Sequence, residues 1–261
     1  MMDTVFNCTQ CGKCCHDLNI PLTIREAKDW LLRGDKIKIL TEATPWINDV
    51  SSTDDLLLRK KSLTFPAKSG KLSIRVLASL VGYFQGKCPN LNSDLNCSIY
   101  NSRPLTCRIY PFEMNPNIIL NPKNKLCPSD AWQSSESPRS SNTGYQIFTI
   151  DQDTQSNIKD IYTNNVDNVV AKLLICKELG ISTSSLSNDG YLFHFPDQEK
   201  LLRILDNLIS EDTPPTPDAE DHSQWIIYTQ NEVSLSDLQA IGSNAARAHQ
   251  LDTDSQEFIS L

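Results

Sequence analysis

A chain of 261 residues, 39% hydrophobic and 21% charged with a net charge of -8, has room for one large domain or two small ones. The charge is uneven: residues 1–135 hold 17 Lys and Arg against 12 Asp and Glu, and residues 136–261 hold 7 against 20. The acidic half excludes nucleic-acid binding through its surface, the small basic excess of the first half is no phosphate-tracking patch, and no stretch approaches the roughly 20 apolar residues of a membrane span. The opening residues lack the basic segment and apolar run of a secretory leader, so the expected location is the cytoplasm, where thiols stay reduced.

In chain order, residues 1–19 read as a metal-binding loop with Gly12 inside it. Thr23 and Glu26 fit a capping box ahead of Ile24, Ala27, Trp30 and Leu31, which predicts a helix ending near Gly34. Residues 41–70, punctuated by Pro45, Asp54-Asp55 and Pro66, carry no clear period, and Asp54-Asp55 reads as a solvated turn. Leu72, Ile74 and Val76 alternate as in a strand. Asn92-Ser93-Asp94 predicts a turn between two short strand-like pieces, which brings Cys88 and Cys97 together. Residues 8–127 as a whole look loop-rich, organised by metal rather than by a large apolar core.

Residues 133–144 form a polar linker and the best domain boundary. Beyond it, Ile158, Ile161, Tyr162, Val166, Val169, Leu173 and Cys176 recur at three and four and predict one amphipathic helix ending at Gly180, with Cys176 a buried apolar residue. A second helix is expected over about 198–210. An acidic, Pro-rich linker follows at 211–222, then a last helix from Ser234 to about His249 capped by Ser234 and Asp237, and a frayed end. His194, flanked by Phe193 and Phe195, belongs to a loop or strand.

The chemistry lies in the cysteines. Eight of nine fall between Cys8 and Cys127, opening with Cys8, Cys11, Cys14 and Cys15 and continuing with Cys88, Cys97, Cys107 and Cys127. Thiolates are the soft ligands chosen by zinc, copper(I) and iron-sulfur clusters. Cys8, Cys11 and Cys14 can converge on one centre, but adjacent Cys14 and Cys15 point apart and do not share one tetrahedral ion. Two closed four-thiolate zinc sites and one cluster with four spare thiols both satisfy the spacing. Arg103 and Arg108 flank Cys107 and are placed beside the sulfur atoms, offsetting their charge, with an anionic substrate as the other use of the pair. Tyr100, Tyr110 and Phe112 read as packing around the site, and His16 as a neighbour of the cluster rather than a ligand. No Ser-His-Asp or HExxH arrangement occurs.

The block from Cys8 to Cys15, the Cys88-Pro89 pair, the block from Cys97 through Tyr100, Arg103-Pro104, Cys107-Arg108 and Tyr110-Pro111 to Phe112, and the Cys127-Pro128 pair together resemble the YkgJ-type cysteine-cluster family, also called the CxxCxxCC or zinc- or iron-chelating domain. The resemblance covers about residues 6–130, although 41–70 are longer than its pattern. It implies a small bacterial, cytosolic domain that chelates zinc or iron through these eight cysteines. A related cluster in flagellin lysine N-methylases implies an iron-sulfur cluster and S-adenosylmethionine, although no Gly-rich cofactor loop is present here. The expected architecture is α+β: a loop-rich, metal-stapled domain over 1–132 with short strands and helices, the linker at 133–144, a mainly helical region over 145–210, the linker at 211–222 and a helical segment over 223–261. The expected function is metal binding, with zinc or iron as cofactor. An iron-sulfur enzyme of redox or methyl-transfer type is one alternative. A zinc-stabilised interaction module, presenting the acidic C-terminal half to a protein partner, is the other.

Overall fold

A computed structural model describes residues 4–46, 54–115, 118, 120–134, 150–210, 224–252 and 254–261. In chain order the elements are β1 (Thr4–Phe6), β2 (Asn19–Leu22), α1 (Ile24–Leu32), β3 (Lys36–Pro45), α2 (Asp55–Ser62), β4 (Phe65–Ser69), β5 (Leu72–Tyr83), α3 (Leu105–Ile109), β6 (Trp132–Ser134), α4 (Gln152–Asp167), α5 (Val169–Leu179), β7 (Thr183–Leu186), β8 (Gly190–His194), α6 (Gln198–Ser210), β9 (Ile226–Thr229), α7 (Glu232–Ala240), β10 (Ala245–Arg247) and β11 (Gln256–Ser260). Helices and strands are mixed, as expected of an α+β chain, and beyond residue 150 the described residues form four helices and five strands. No described helix is long and apolar enough to cross a membrane. The chain forms two compact units, one from residues 1–20 and 83–163, the other from 21–82 and 164–261.

The second unit is built on a nine-stranded sheet in the order β10-β9-β7-β3-β5-β2, with β4 added to β5 and β8 lying between β3 and β11. β3 is long enough to take two partners, pairing parallel to β7 through Glu42 and Ala43 and antiparallel to β8 through Ile39 to Thr41. Alternation along β5 buries Leu72, Ile74, Val76, Ala78 and Leu80. The first four of these meet Phe65, Ala67, Trp225, Ile227, Leu173 and Cys176 in one apolar cluster, with the Phe65 and Trp225 rings 5.8 Å apart. Cys176 is thus a core residue, as its place on the helix face implies.

α1 starts where the sequence places it: the Thr23 hydroxyl accepts from the Glu26 amide at 3.3 Å and the Glu26 carboxylate accepts from the Thr23 amide at 2.9 Å. Its buried face of Ile24, Ala27, Trp30 and Leu31 packs near α6, where Lys28 pairs with Asp206 at 2.7 Å.

Other expectations change. The described residues of 41–70 are the end of β3, then α2 and β4, so among the described residues the loop-rich character belongs to 85–131 and not to 21–83. Asp54 is not a free turn residue; its carboxylate caps α2 by accepting from the Leu56 and Leu57 amides. The helix expected through 158–179 is two helices, because Asn168 sits between them outside helical geometry and turns its side-chain amide onto the Asn164 carbonyl at 2.8 Å. α7 starts earlier and stops sooner than the expected 234–249 helix: Asn231, not Ser234, caps it, and residues 245–247 pair parallel to β9 instead. The end of the chain is not frayed, since β11 pairs antiparallel to β8 from Gln256 to Ser260. The linker at 211–222, and all of the linker at 133–144 but its first two residues, lie outside the described residues.

His194 is a β8 residue and is buried. Its Nε2 lies 2.8 Å from the Thr41 hydroxyl, which donates to the Thr183 carbonyl, and its Nδ1 lies 3.2 Å from the Gln256 side-chain nitrogen. Gln256 has only a donor to offer there, so the network assigns a neutral ring with its proton on Nε2. Burial lowers the pKa from 6.5 to about 4, partly opposed by the Thr183 carbonyl. The folded state therefore resists a proton that the unfolded chain accepts below pH 6.5. The stability contributed by the neutral ring is whole above that pH and is lost as the pH falls towards 4, about 2 kcal/mol by pH 5. Urea midpoints measured at pH 7 and pH 5 are expected to fall in the wild type and to fall distinctly less in His194→Gln.

Candidate metal centre

All eight N-terminal cysteines lie in one unit, and all are reduced thiols. Local pairing gathers them. β1 pairs antiparallel to β6, and just beyond it the Asn7 amide donates to the Ala131 carbonyl at 2.9 Å. This lays the segment entering Cys8 beside the segment leaving Cys127. Phe6 secures the join, its ring 5.0 Å from Trp132 and edge-on to Phe112 at 6.2 Å.

The loop then turns sharply. Gln10 and Gly12 have left-handed backbone (φ 54° and 69°), and a Cβ on Gly12 would stand 3.3 Å from the Leu95 backbone oxygen and Cβ. The Cys15 amide donates to the Gly12 carbonyl at 3.0 Å. The exposed His16 ring reaches back to the same carbonyl at 3.2 Å, which ties it to the loop and not to the thiols.

A second pairing joins Cys15 to Cys88. The Cys88 amide donates to the Cys15 carbonyl at 2.8 Å, His16 and Lys87 form an antiparallel bridge, and the Asp17 amide donates to the Gly86 carbonyl at 2.9 Å. The turn expected at Asn92-Ser93-Asp94 is present: the Asn92 amide donates to the Asn96 carbonyl at 2.8 Å, and Leu91 bridges Cys97 antiparallel. The Asp94 carboxylate accepts from both the backbone and side-chain amides of Asn96. Cys107 follows in the short α3, its amide donating to the Pro104 carbonyl at 2.9 Å.

The electrostatics of the thiols follow from this crowding. The sulfurs of Cys14 and Cys15 are 3.9 Å apart, so the adjacent pair does not point apart as its sequence position suggests. The contact between the two thiols lowers the pKa of Cys14, against burial and the neighbouring Cys127, Cys8 and Cys107, and raises that of Cys15. Burial pushes Cys107 up to about 12, with further repulsion from Cys15 and Cys88 and relief from Arg103. Burial likewise raises Cys127 to about 11, against which Lys125 and a hydrogen bond from the Tyr110 hydroxyl act. Among the described residues, no three Cys, His, Asp or Glu side chains close to ion-holding distance.

Arg103 lies over the Tyr100 ring at 3.7 Å, donates to the Tyr100 carbonyl at 3.0 Å, and acts electrostatically on Cys15 and Cys107. Arg108 donates to the carbonyls of Arg103 (2.8 Å) and Asn101 (3.2 Å). Its side chain braces the loop that carries Arg103. Two contributors were not assigned from sequence. Tyr110, read as packing, directs its hydroxyl to Cys127 and also accepts from the Leu126 amide at 3.0 Å. Lys125, ion-paired with Glu113, lies beside Cys127 as well. The available signal was proximity in the chain, two residues before Cys127.

No curated protein and no solved structure is significantly similar to the chain. Residues 7–128 do match a family model, that of the CxxCxxCC family, described as a putative zinc- or iron-chelating domain.

Proposed function

We propose that this is a cytoplasmic metal-binding protein whose eight N-terminal cysteines hold zinc or iron as thiolates, and that the metal also organises the segment carrying them. The observation that carries this reading is the gathering of eight reduced thiols, from segments more than 70 residues apart in the chain, into one unit with cationic and hydrogen-bond-donating neighbours. The donor set fits the group: it is all sulfur, which suits zinc and iron and not calcium or magnesium. Four thiolates about a divalent ion leave net negative charge, and Arg103, Lys125 and the Tyr110 hydroxyl are placed to offset it. When bound, zinc would supply a rigid cross-link and an iron-sulfur centre would add an electron site. The chain's own residues hold sulfur, brace the loops and temper the charge.

Anaerobic purification with metal and acid-labile sulfide analysis tests the reading. Zinc in stoichiometric amount in a colourless protein, or iron and sulfide with broad visible absorption, is the expected result. The second outcome would favour the electron-transfer or methyl-transfer enzymes that use such centres. Reduced protein that neither carries nor takes up either metal overturns the proposal.

A further inference from the structure

We propose that the second unit carries an acyl-transfer site of its own, in which Ser187 is the nucleophile, Glu42 its base and Lys60 the cation that steadies the developing negative oxygen, with a small carboxylic ester as substrate. Three separate elements bring these side chains together. Glu42 lies near the end of β3, Lys60 on α2, and Ser187 directly after β7. The Ser187 hydroxyl donates to the Glu42 carboxylate at 2.5 Å and accepts from the Lys60 ammonium at 3.1 Å. All three residues are half-buried. An ion pair alone would hold α2 to β3; here a hydroxyl is interposed between the two charges. A serine is a weak nucleophile until a base within hydrogen-bond reach takes its proton, and Glu42 is placed to do so.

The backbone around the hydroxyl is pinned. The Ser187 amide donates to the Ala43 carbonyl at 2.8 Å, and the Asp189 amide to the Leu186 carbonyl at 3.1 Å. The Asp189 carboxylate accepts from the Thr229 hydroxyl at 2.6 Å and the Gln230 amide at 3.0 Å, which ties the turn to the end of β9. β7 runs parallel to β3 on one side and to β9 on the other. Ser187 thus stands at the carboxyl ends of parallel strands, where open α/β sheets place their ligands. Asn188, the next residue, has left-handed backbone (φ 67°), and its amide has no hydrogen-bond partner among the described residues. A second donor is therefore free beside the nucleophile. In the reaction, the Ser187 oxygen bonds to the ester carbonyl carbon while its proton passes to the Glu42 carboxylate. Glu42 returns that proton to the alcohol oxygen as the old ester bond breaks, leaving an acyl-serine. Water, giving its proton to Glu42 in the same way, releases the acid and restores Ser187, so one ester and one water yield one acid and one alcohol.

An alkyl fluorophosphonate, which phosphonylates activated serines with loss of fluoride and spares thiols, tests the site on the full chain. The mass of the native protein is expected to rise by one phosphonyl group, mapped to Ser187 by peptide mass spectrometry. Glu42→Gln and Lys60→Met should each slow the labelling about 100-fold, the usual worth of a general base or of one oxyanion donor. Should either variant fail to fold, the wild type alone decides: label on Ser187 in the native chain and none in denaturing urea upholds a built site. Native protein left unlabelled at Ser187, or labelled there equally fast in urea or with Glu42 replaced by Gln, overturns it.

Discussion

Removing metal from the reduced protein is expected to abolish amide protection across residues 85–132 and to leave the nine-stranded sheet protected. Apart from α4, the unit that carries the cysteines has few regular elements among the described residues. Its described strands are the three-residue β1 and β6, its α3 has five residues, and its buried apolar residues include Leu91, Ile109, Phe112 and Ala131. A two-stranded ribbon and one helical turn are marginal in water on their own. Structural zinc supplies about 10–16 kcal/mol in small metal-organised domains, far more than those contacts provide. The sheet has its own core, with Ile37, Ile39, Ile74, Val76, Trp225 and Ile227 almost wholly excluded from solvent. Hydrogen exchange followed by mass spectrometry, with and without chelator under reducing conditions, reads both units in one experiment. The informative amides are Cys88, Asn92 and Ser98 on one side and those of the β3–β8 pairing on the other. Unchanged protection at Cys88, Asn92 and Ser98 after the metal is gone would refute metal as the organiser.

Trp30→Ala is expected to destabilise the sheet unit by about 3–5 kcal/mol, the range for deleting a large buried aromatic. Trp30 is 1% exposed and its indole nitrogen donates to the Lys36 carbonyl at 3.2 Å. Its space is specified from below by Gly82, where a Cβ would stand 2.9 Å from the indole ring and 3.1 Å from Leu22. Alanine would therefore leave both a cavity and an unpaired carbonyl, and backbone there cannot collapse to fill it. Leu32→Ala, on the same helix at 61% exposure, is the control and should change stability by less than about 0.5 kcal/mol. Urea midpoints followed by far-ultraviolet circular dichroism read the difference, and equal shifts for the two variants would show that Trp30 is not an anchor.

What was legible in the sequence was what neighbours in the chain decide. The capping box of Thr23 and Glu26 is a four-residue device, the alternation of Leu72, Ile74 and Val76 is a three-residue-deep signal, and α6 carries its apolar face in its own spacing. What long-range pairing decides was not legible. Gln256 to Ser260 is a short terminal segment with no clear period until β8 offers it an edge, and residues 245–247 continue a plausible helix until β9 offers a parallel partner. The site divides the same way. Thiol chemistry named the eight cysteines as a set, and the turn at Asn92 to Asp94 is where the sequence places it, with Cys97 opposite Leu91. The hydroxyl of Tyr110, the amine of Lys125 and the company each thiol keeps depend on pairings across 70 or more residues, such as Cys15 with Cys88.

The two units are interleaved along the chain, and this governs how they can be taken apart. Because β3, β4 and β5 precede the Cys88–Cys127 segment while β7, β8 and β9 follow it, no single cut yields both units whole. A fragment ending near residue 132 would keep every proposed ligand yet strip β3 of β7 and β8, baring Ile37 and Ile39 to water and inviting aggregation. A researcher who expresses the cysteine segment that way would recover insoluble protein and could mistake it for failed metal loading. Excising 21–82, with a short bridge in its place, leaves the thiols and spares them an orphaned half-sheet.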